Sequence, residues 1–167
     1  MIIRSEKTED IDRIREINIS SFGEESEANL VAALRKSGIP LISLVAEENN
    51  NVIGHILFSP VTIDDCTSIS IAGLAPMSVL PQFQRKGIGS ILAKEGLHQC
   101  KQAGYSAVVV LGHPEYYPRF GFIPSVIYGI RSEYDVPENV FMIMELTEDS
   151  LKDCHGKVKY HEVFMQL

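Results

Sequence analysis

Residues 84–89 run Gln84-Arg85-Lys86-Gly87-Ile88-Gly89. A strand-like stretch from Ile69 to Val79 precedes them, and a helical pattern through Ile88, Ile91 and Leu92 follows. Two glycines at a strand-to-helix turn let a ligand's oxygens sit against bare backbone N–H groups. These are the unpaired donors of a helix N-terminus, and they favour anions. The chemistry that suits this pattern is the binding of a pyrophosphate. A P-loop would need Gly-Lys-Ser/Thr at its end, whereas Gly89 is followed by Ser90-Ile91, so that reading is rejected. A dinucleotide fingerprint would need a third glycine where Leu92 stands, and would occupy the first βα turn of the chain.

The surrounding elements place this turn mid-chain. Ile2 to Arg4 has the pattern of a short strand, and Thr8-Glu9-Asp10 opens a helix with the stripe Ile11, Ile14 and Ile17. A second helix is expected over Glu24–Lys36, ended by Gly38. Leu41–Glu47 and Val52–Thr62 pattern as a hairpin around Asn49-Asn50-Asn51, and Ser68–Val79 as a third antiparallel strand interrupted near Pro76. A helix from Lys86 to Ala103 and the buried apolar run in Ser106–Leu111 complete a βαβ unit with parallel strands. A short helical segment spans Glu115–Arg119. Further strands are predicted at Ile123–Ile130 and Val140–Leu146, with an edge strand in Lys157–Met165. The result is one α+β domain over residues 1–167.

Bulk properties narrow the partners. With a formal net charge of −7, nucleic acid is not an expected partner, because phosphate backbones call for a basic surface. A cationic amine would meet a mildly favourable field. Cys66, Cys100 and Cys154 are too few and too irregular to suggest a disulfide framework or a metal site, which points to the reducing cytoplasm. The N-terminus shows no signal-peptide core, and no apolar run approaches membrane-spanning length.

The segment Gln84–Gly89 also meets the pattern Gln/Arg-x-x-Gly-x-Gly/Ala. It resembles the acetyl-CoA pyrophosphate loop of the GCN5-related N-acetyltransferases, the GNAT superfamily. A second likeness lies at Tyr116-Tyr117-Pro118-Arg119-Phe120-Gly121-Phe122, where Tyr117 falls on the family tyrosine. The doubled tyrosine is similar to one bacterial subfamily of acetyltransferases. The resemblance covers roughly residues 2–146 and implies a three-layer α/β/α domain. Its sheet would be mixed and mostly antiparallel, with about seven strands. Many members carry Asn near the end of the fifth strand; here the stretch is Gly112-His113-Pro114.

The resemblance implies roles for particular residues. The amides of Lys86, Gly87, Ile88, Gly89 and Ser90 would take the pyrophosphate, with Gln84, Arg85 and the Ser90 hydroxyl beside them. Val79 would contact the pantetheine, and the N–H of Met77 or Ser78 the thioester carbonyl. Tyr117 would act at the leaving sulfur as the catalytic acid. Tyr116 is expected to pack or to line the substrate cleft. The base that takes the amine's proton stays open among His55, His113, Glu47, Glu48 and water.

The leading reading is an N-acetyltransferase that passes acetyl from acetyl-CoA to a primary amine by direct attack in a ternary complex. No metal and no membrane are expected, and family members often pair, so a homodimer is among the expected assemblies. The competing reading is an acyl-CoA sensor that binds without catalysis; a dinucleotide enzyme is a weaker third. The acceptor is not legible. Glu24, Glu25 and Glu27, or Arg131, Glu133 and Asp135, are equally a solvated surface or part of its wall.

Overall fold

A computed structural model describes residues 1–166. The chain divides into two compact units. Among the described residues, one comprises residues 1–59, 75–96 and 162–166, the other residues 60–74 and 97–161.

In the first unit, β1 (Ile2–Ser5) pairs antiparallel with β2 (Ile42–Glu48), and β2 pairs antiparallel with the first part of β3 (Asn51–Ile63). Asn49 and Asn50 both hold positive φ, 51° and 64°, as the asparagine-rich hairpin requires. The helices α1 (Ile11–Phe22) and α2 (Ser26–Ser37) end at Gly23 and Gly38 in left-handed caps. The start of α1 differs from expectation. Thr8 lies in a 3₁₀ turn (Thr8–Asp10), and the Asp10 carboxylate instead accepts the Lys7 N–H at 2.7 Å. Asp10 is also gripped by Arg4, at 2.7 and 3.0 Å, which holds its carboxyl below the usual range. Helix α3 (Ile88–Gln102) lies flush on β3: a Cβ at Gly96 would come within 2.2 Å of the Phe58 ring. Ile14, Ile17, Leu34, Ile56, Leu57 and Leu92 are sealed in this unit's core.

In the second unit, β4 (Cys66–Val79, which continues into the first unit) pairs parallel with β5 (Ala107–Leu111) over Ile71–Leu74. This is the predicted βαβ connection. The Ala75–Pro76 bond is cis. β5 pairs antiparallel with β8 (Phe141–Glu145), and β8 with β6 (Ile123–Pro124). Ile71, Ala107, Val109, Ile130, Phe141 and Ile143 share one core.

Three expectations are corrected here. The strand predicted over Ile123–Ile130 is broken: β6 is only two residues long, a 3₁₀ turn occupies Ser125–Tyr128, and β7 covers Ile130–Ser132. Pro124 cannot donate to a ladder, Gly129 takes φ 70°, and the Ser125 hydroxyl donates to the Ile130 carbonyl at 2.8 Å, closing the turn. The tail strand β9 (Gly156–Lys159) is not an edge. It pairs with the end of β3 on one side and with β7 on the other, so the described residues form nine strands where about seven were expected. The pairing remains mixed and mostly antiparallel, and the class is α+β.

The third correction concerns cysteine. Cys66 and Cys154, 88 residues apart, form a disulfide, and only Cys100 is free. Irregular spacing does not reveal a pairing that depends on the β3–β4 turn meeting the C-terminal segment. With this bond present, the cysteines no longer point to a reducing compartment. No helix among the described residues is long and apolar enough to cross a membrane. Closing a long loop of the unfolded chain typically contributes about 2–4 kcal/mol. Reduction, or Cys154→Ser, should therefore lower the urea midpoint without changing helix content by circular dichroism. An unchanged midpoint would show that the bond adds nothing to stability.

Candidate active site

The glycine turn takes the shape that its sequence requires. A 3₁₀ turn (Pro81–Phe83) follows β4, after which Arg85 adopts φ 62° and Gly87 φ 85°. The Gly87 carbonyl accepts the Ile91 N–H at 3.1 Å, so α3 begins here. The amides of Ile88 and Gly89 are then in the first turn of a 15-residue helix, where the helix itself offers no carbonyl one turn back. Residues 84–87 are exposed, and nothing stands within 4 Å of where a Cβ of Gly87 would lie. An exposed helix N-terminus of this kind favours an anion.

Side chains around it divide by task. Gln84 donates from Nε2 to the Val79 carbonyl at 2.9 Å, tying the loop back to the end of β4. Its amide N–H₂ is thus committed to shaping the turn, a use that sequence reasoning did not foresee. Lys86 extends its ammonium over the Phe83 ring at 5.5 Å. Met77, Ser78 and Val79 lie on the final stretch of β4. Ser78 is 2% exposed, and its hydroxyl is sealed without a partner, an unmet polar group on the strand assigned to the ligand.

In the second unit, Gly112 follows β5, and its N–H is held by the Val140 carbonyl at 3.0 Å. The His113 carbonyl accepts the N–H groups of Tyr116 (3.1 Å) and Tyr117 (3.4 Å), starting the 3₁₀ turn Tyr117–Phe120. The Tyr117 ring is buried at 8% exposure, among Tyr116 (centroids 5.1 Å apart) and Phe122 (5.8 Å). Burial, and then the neighbouring Tyr116, push its pKa up to about 12. Tyr116 is half-buried, with the Arg119 guanidinium stacked 4.2 Å over its ring.

The structure separates the candidate bases. His55 is wholly buried on β3. Its Nδ1 accepts from Asn18 Nδ2 at 3.4 Å, the same amide that donates to the Ile14 carbonyl. Nε2 therefore carries the proton, 2.9 Å from the Ser43 hydroxyl. Burial, with Arg35 contributing, pushes its pKa down to about 3. A sealed, neutral imidazole with both nitrogens engaged is a core group, not an acceptor of a substrate's proton. Glu47 is engaged by Arg4 at 3.1 Å, while Glu48 stays half-buried and His113 exposed. Cys100 is a buried thiol raised to about 12 by burial, unsuited to nucleophilic attack. No group of three or more His, Cys, Asp or Glu able to hold a metal occurs among the described residues. Arg131, Glu133 and Asp135 come together on a cavity of about 390 Å³ with Phe141 and Lys157 in its wall. Glu133 there accepts the Tyr160 N–H at 2.6 Å.

A model of the Acetyltransferase (GNAT) family matches residues 11–122, a span that takes in both the glycine turn and Tyr117. The chain belongs to this family. It is 36% identical, over 98% of both chains, to the uncharacterized N-acetyltransferase YhbS of Escherichia coli K12. It is 37% identical to the uncharacterized N-acetyltransferase YjhQ of the same organism, over 83% of this chain and 80% of that one. Among solved structures, the GNAT family N-acetyltransferase YhbS from Escherichia coli, in complex with CoA, matches with a TM-score of 0.94 at 35% identity. That match covers 98% of this chain and 91% of the other. A GNAT family acetyltransferase from Brucella melitensis, in complex with acetyl-CoA, matches at 0.81 and 36% identity, covering 98% and 97%. The expected GNAT fold is the one found.

Burial of His55 has a consequence for stability. Between about pH 3 and pH 6.5 the unfolded chain protonates this side chain and the folded one does not, so stability rises with pH through that window. Wild type should lose more stability than His55→Leu when the pH falls from 7 to 4, measured by urea unfolding. Equal losses would show that His55 does not titrate on unfolding.

Proposed function

We propose that this GNAT protein transfers an acetyl group from acetyl-CoA to a primary amine, by direct attack and without an acyl-enzyme. The observation that carries the reading is the pair of motifs in their local geometry: an exposed turn over residues 84–87 that opens α3, and a buried phenol, Tyr117, held among aromatic rings. Two solved relatives hold CoA and acetyl-CoA, which supports assigning the turn to the coenzyme's diphosphate. In this reading the amides of Ile88, Gly89 and Ser90 donate to its oxygens, and Lys86 and Arg85 add positive charge at the rim. An N–H of Met77 or Ser78 steadies the thioester carbonyl, and Val79 contacts the pantetheine.

The reaction forms a C–N bond and breaks the C–S bond. The electron pair leaves on sulfur, and the amine nitrogen releases a proton to water or to an exposed base such as His113. Tyr117 donates a hydrogen bond to the departing sulfur. Magnitudes decide between donation and full transfer. With the phenol near 12 and an ordinary thiol near 8.5, complete transfer is uphill by roughly 5 kcal/mol. The hydroxyl therefore steadies the thiolate and keeps its own proton, and it remains protonated across the whole working pH range.

The alternative of a binding-only sensor needs no hydroxyl at the sulfur, and the phenol's placement favours catalysis. Tyr117→Phe should lower turnover more than tenfold, with CoA affinity unchanged by titration calorimetry. Wild type should release thiol from acetyl-CoA only when a suitable amine from a broad panel is present. CoA binding with no release across the panel would favour the sensor, and unchanged turnover in the variant would remove the tyrosine's role.

A further inference from the structure

We infer that Gly112 is the positioning residue for the Tyr117 phenol: it keeps open a space that no side chain can share with the ring. The inference rests on the role given to Tyr117 above. A Cβ built at Gly112 would stand 2.5 Å from Cε2 of Tyr117, 3.1 Å from Cδ2 and 3.5 Å from Cζ. Ordinary carbon contacts begin near 3.5 Å. The aromatic ring thus lies directly against main chain.

Conformation does not explain the glycine. The positive-φ glycines are Gly23, Gly38, Gly87, Gly104, Gly121, Gly129 and Gly156, and Gly112 is not one of them. A Cβ here is opposed by the ring and not by a left-handed backbone. Nor can the backbone retreat. The Gly112 N–H is fixed on the Val140 carbonyl at 3.0 Å, and Leu111 just before it is in register with Phe141 of β8.

The ring has little room to move on its other sides. Tyr116 meets it edge-on at 5.1 Å and Phe122 at 5.8 Å, with Phe120 at 6.4 Å. Tyr116 is itself held, because Arg119 stacks on its ring at 4.2 Å and donates from Nε to its carbonyl at 2.8 Å. A methyl at position 112 would push the phenol by about an ångström, the gap between 2.5 Å and an ordinary contact. The hydroxyl at the ring's far end would move with it. Misplacement on this scale costs on the order of 10²-fold in rate when the group acts on a reacting atom.

The test is a double-mutant cycle of Gly112→Ala with Tyr117→Phe, read by thiol release from acetyl-CoA with an amine that wild type acetylates. Gly112→Ala should lower kcat 10- to 100-fold, leave CoA affinity within about twofold, and add less than twofold in the Tyr117→Phe background. Wild-type kcat in Gly112→Ala, or the same loss in both backgrounds, would overturn the inference. A second cycle needs no activity. Gly112→Ala should lower Tm in an otherwise wild-type chain and not in Tyr117→Ala, where the space is vacant. An equal Tm loss in both would show that the clash is not with Tyr117. If wild type acetylates no amine, the role given to Tyr117 at the sulfur fails, and the Tm cycle still decides whether Gly112 places the ring.

Discussion

A diphosphate is strongly hydrated, and a protein can compete for it only with donors that already point the right way. In the proposed function those donors are main-chain amides. They follow from the start of α3 just after Gly87, where Ile88 and Gly89 have no helix carbonyl one turn back to meet their N–H groups. The turn before the helix is bent through left-handed backbone at Arg85 and Gly87, and the Gln84 side chain ties it to Val79. Flush packing of α3 on β3 at Gly96 and Phe58 fixes where the helix, and hence its N-terminus, must lie. The rest of the first unit is the support for that one feature.

The second unit holds the phenol to which the proposed function gives the departing sulfur. Tyr117 is packed by aromatic neighbours and by the bare backbone of Gly112, and burial keeps its proton in place. A phenol so held is a poor proton donor in the equilibrium sense and a good hydrogen-bond donor in the kinetic one. What matters for departing sulfur is a fixed dipole that needs no reorganisation, and rigidity supplies it.

Much of this was legible in the chain. The strand-to-helix glycines, the asparagine hairpin, the glycine helix caps and the apolar run of β5 are local signals, each set by a dihedral or a periodicity. What depends on distant partners was not legible. The pairing of Cys66 with Cys154 and the seating of β9 beside β3 require the C-terminal segment to fold back across many residues. Ile123–Ile130 has strand-like residues, yet Pro124, Ser125 and Gly129 build a turn that the apolar pattern masks. His55 illustrates the same gap at the site. Its type suggested a base, and only the buried partners Ser43 and Asn18 show it to be a core group. Gly112 gave no signal beyond its position, because its reason is a ring five residues away.

The most direct measurement is a crystal structure of this protein with CoA bound. The account predicts diphosphate oxygens within hydrogen-bond distance of the amides of Ile88 to Ser90, and the sulfur within reach of the Tyr117 hydroxyl. A diphosphate bound away from those amides, or a sulfur remote from that hydroxyl, would contradict it.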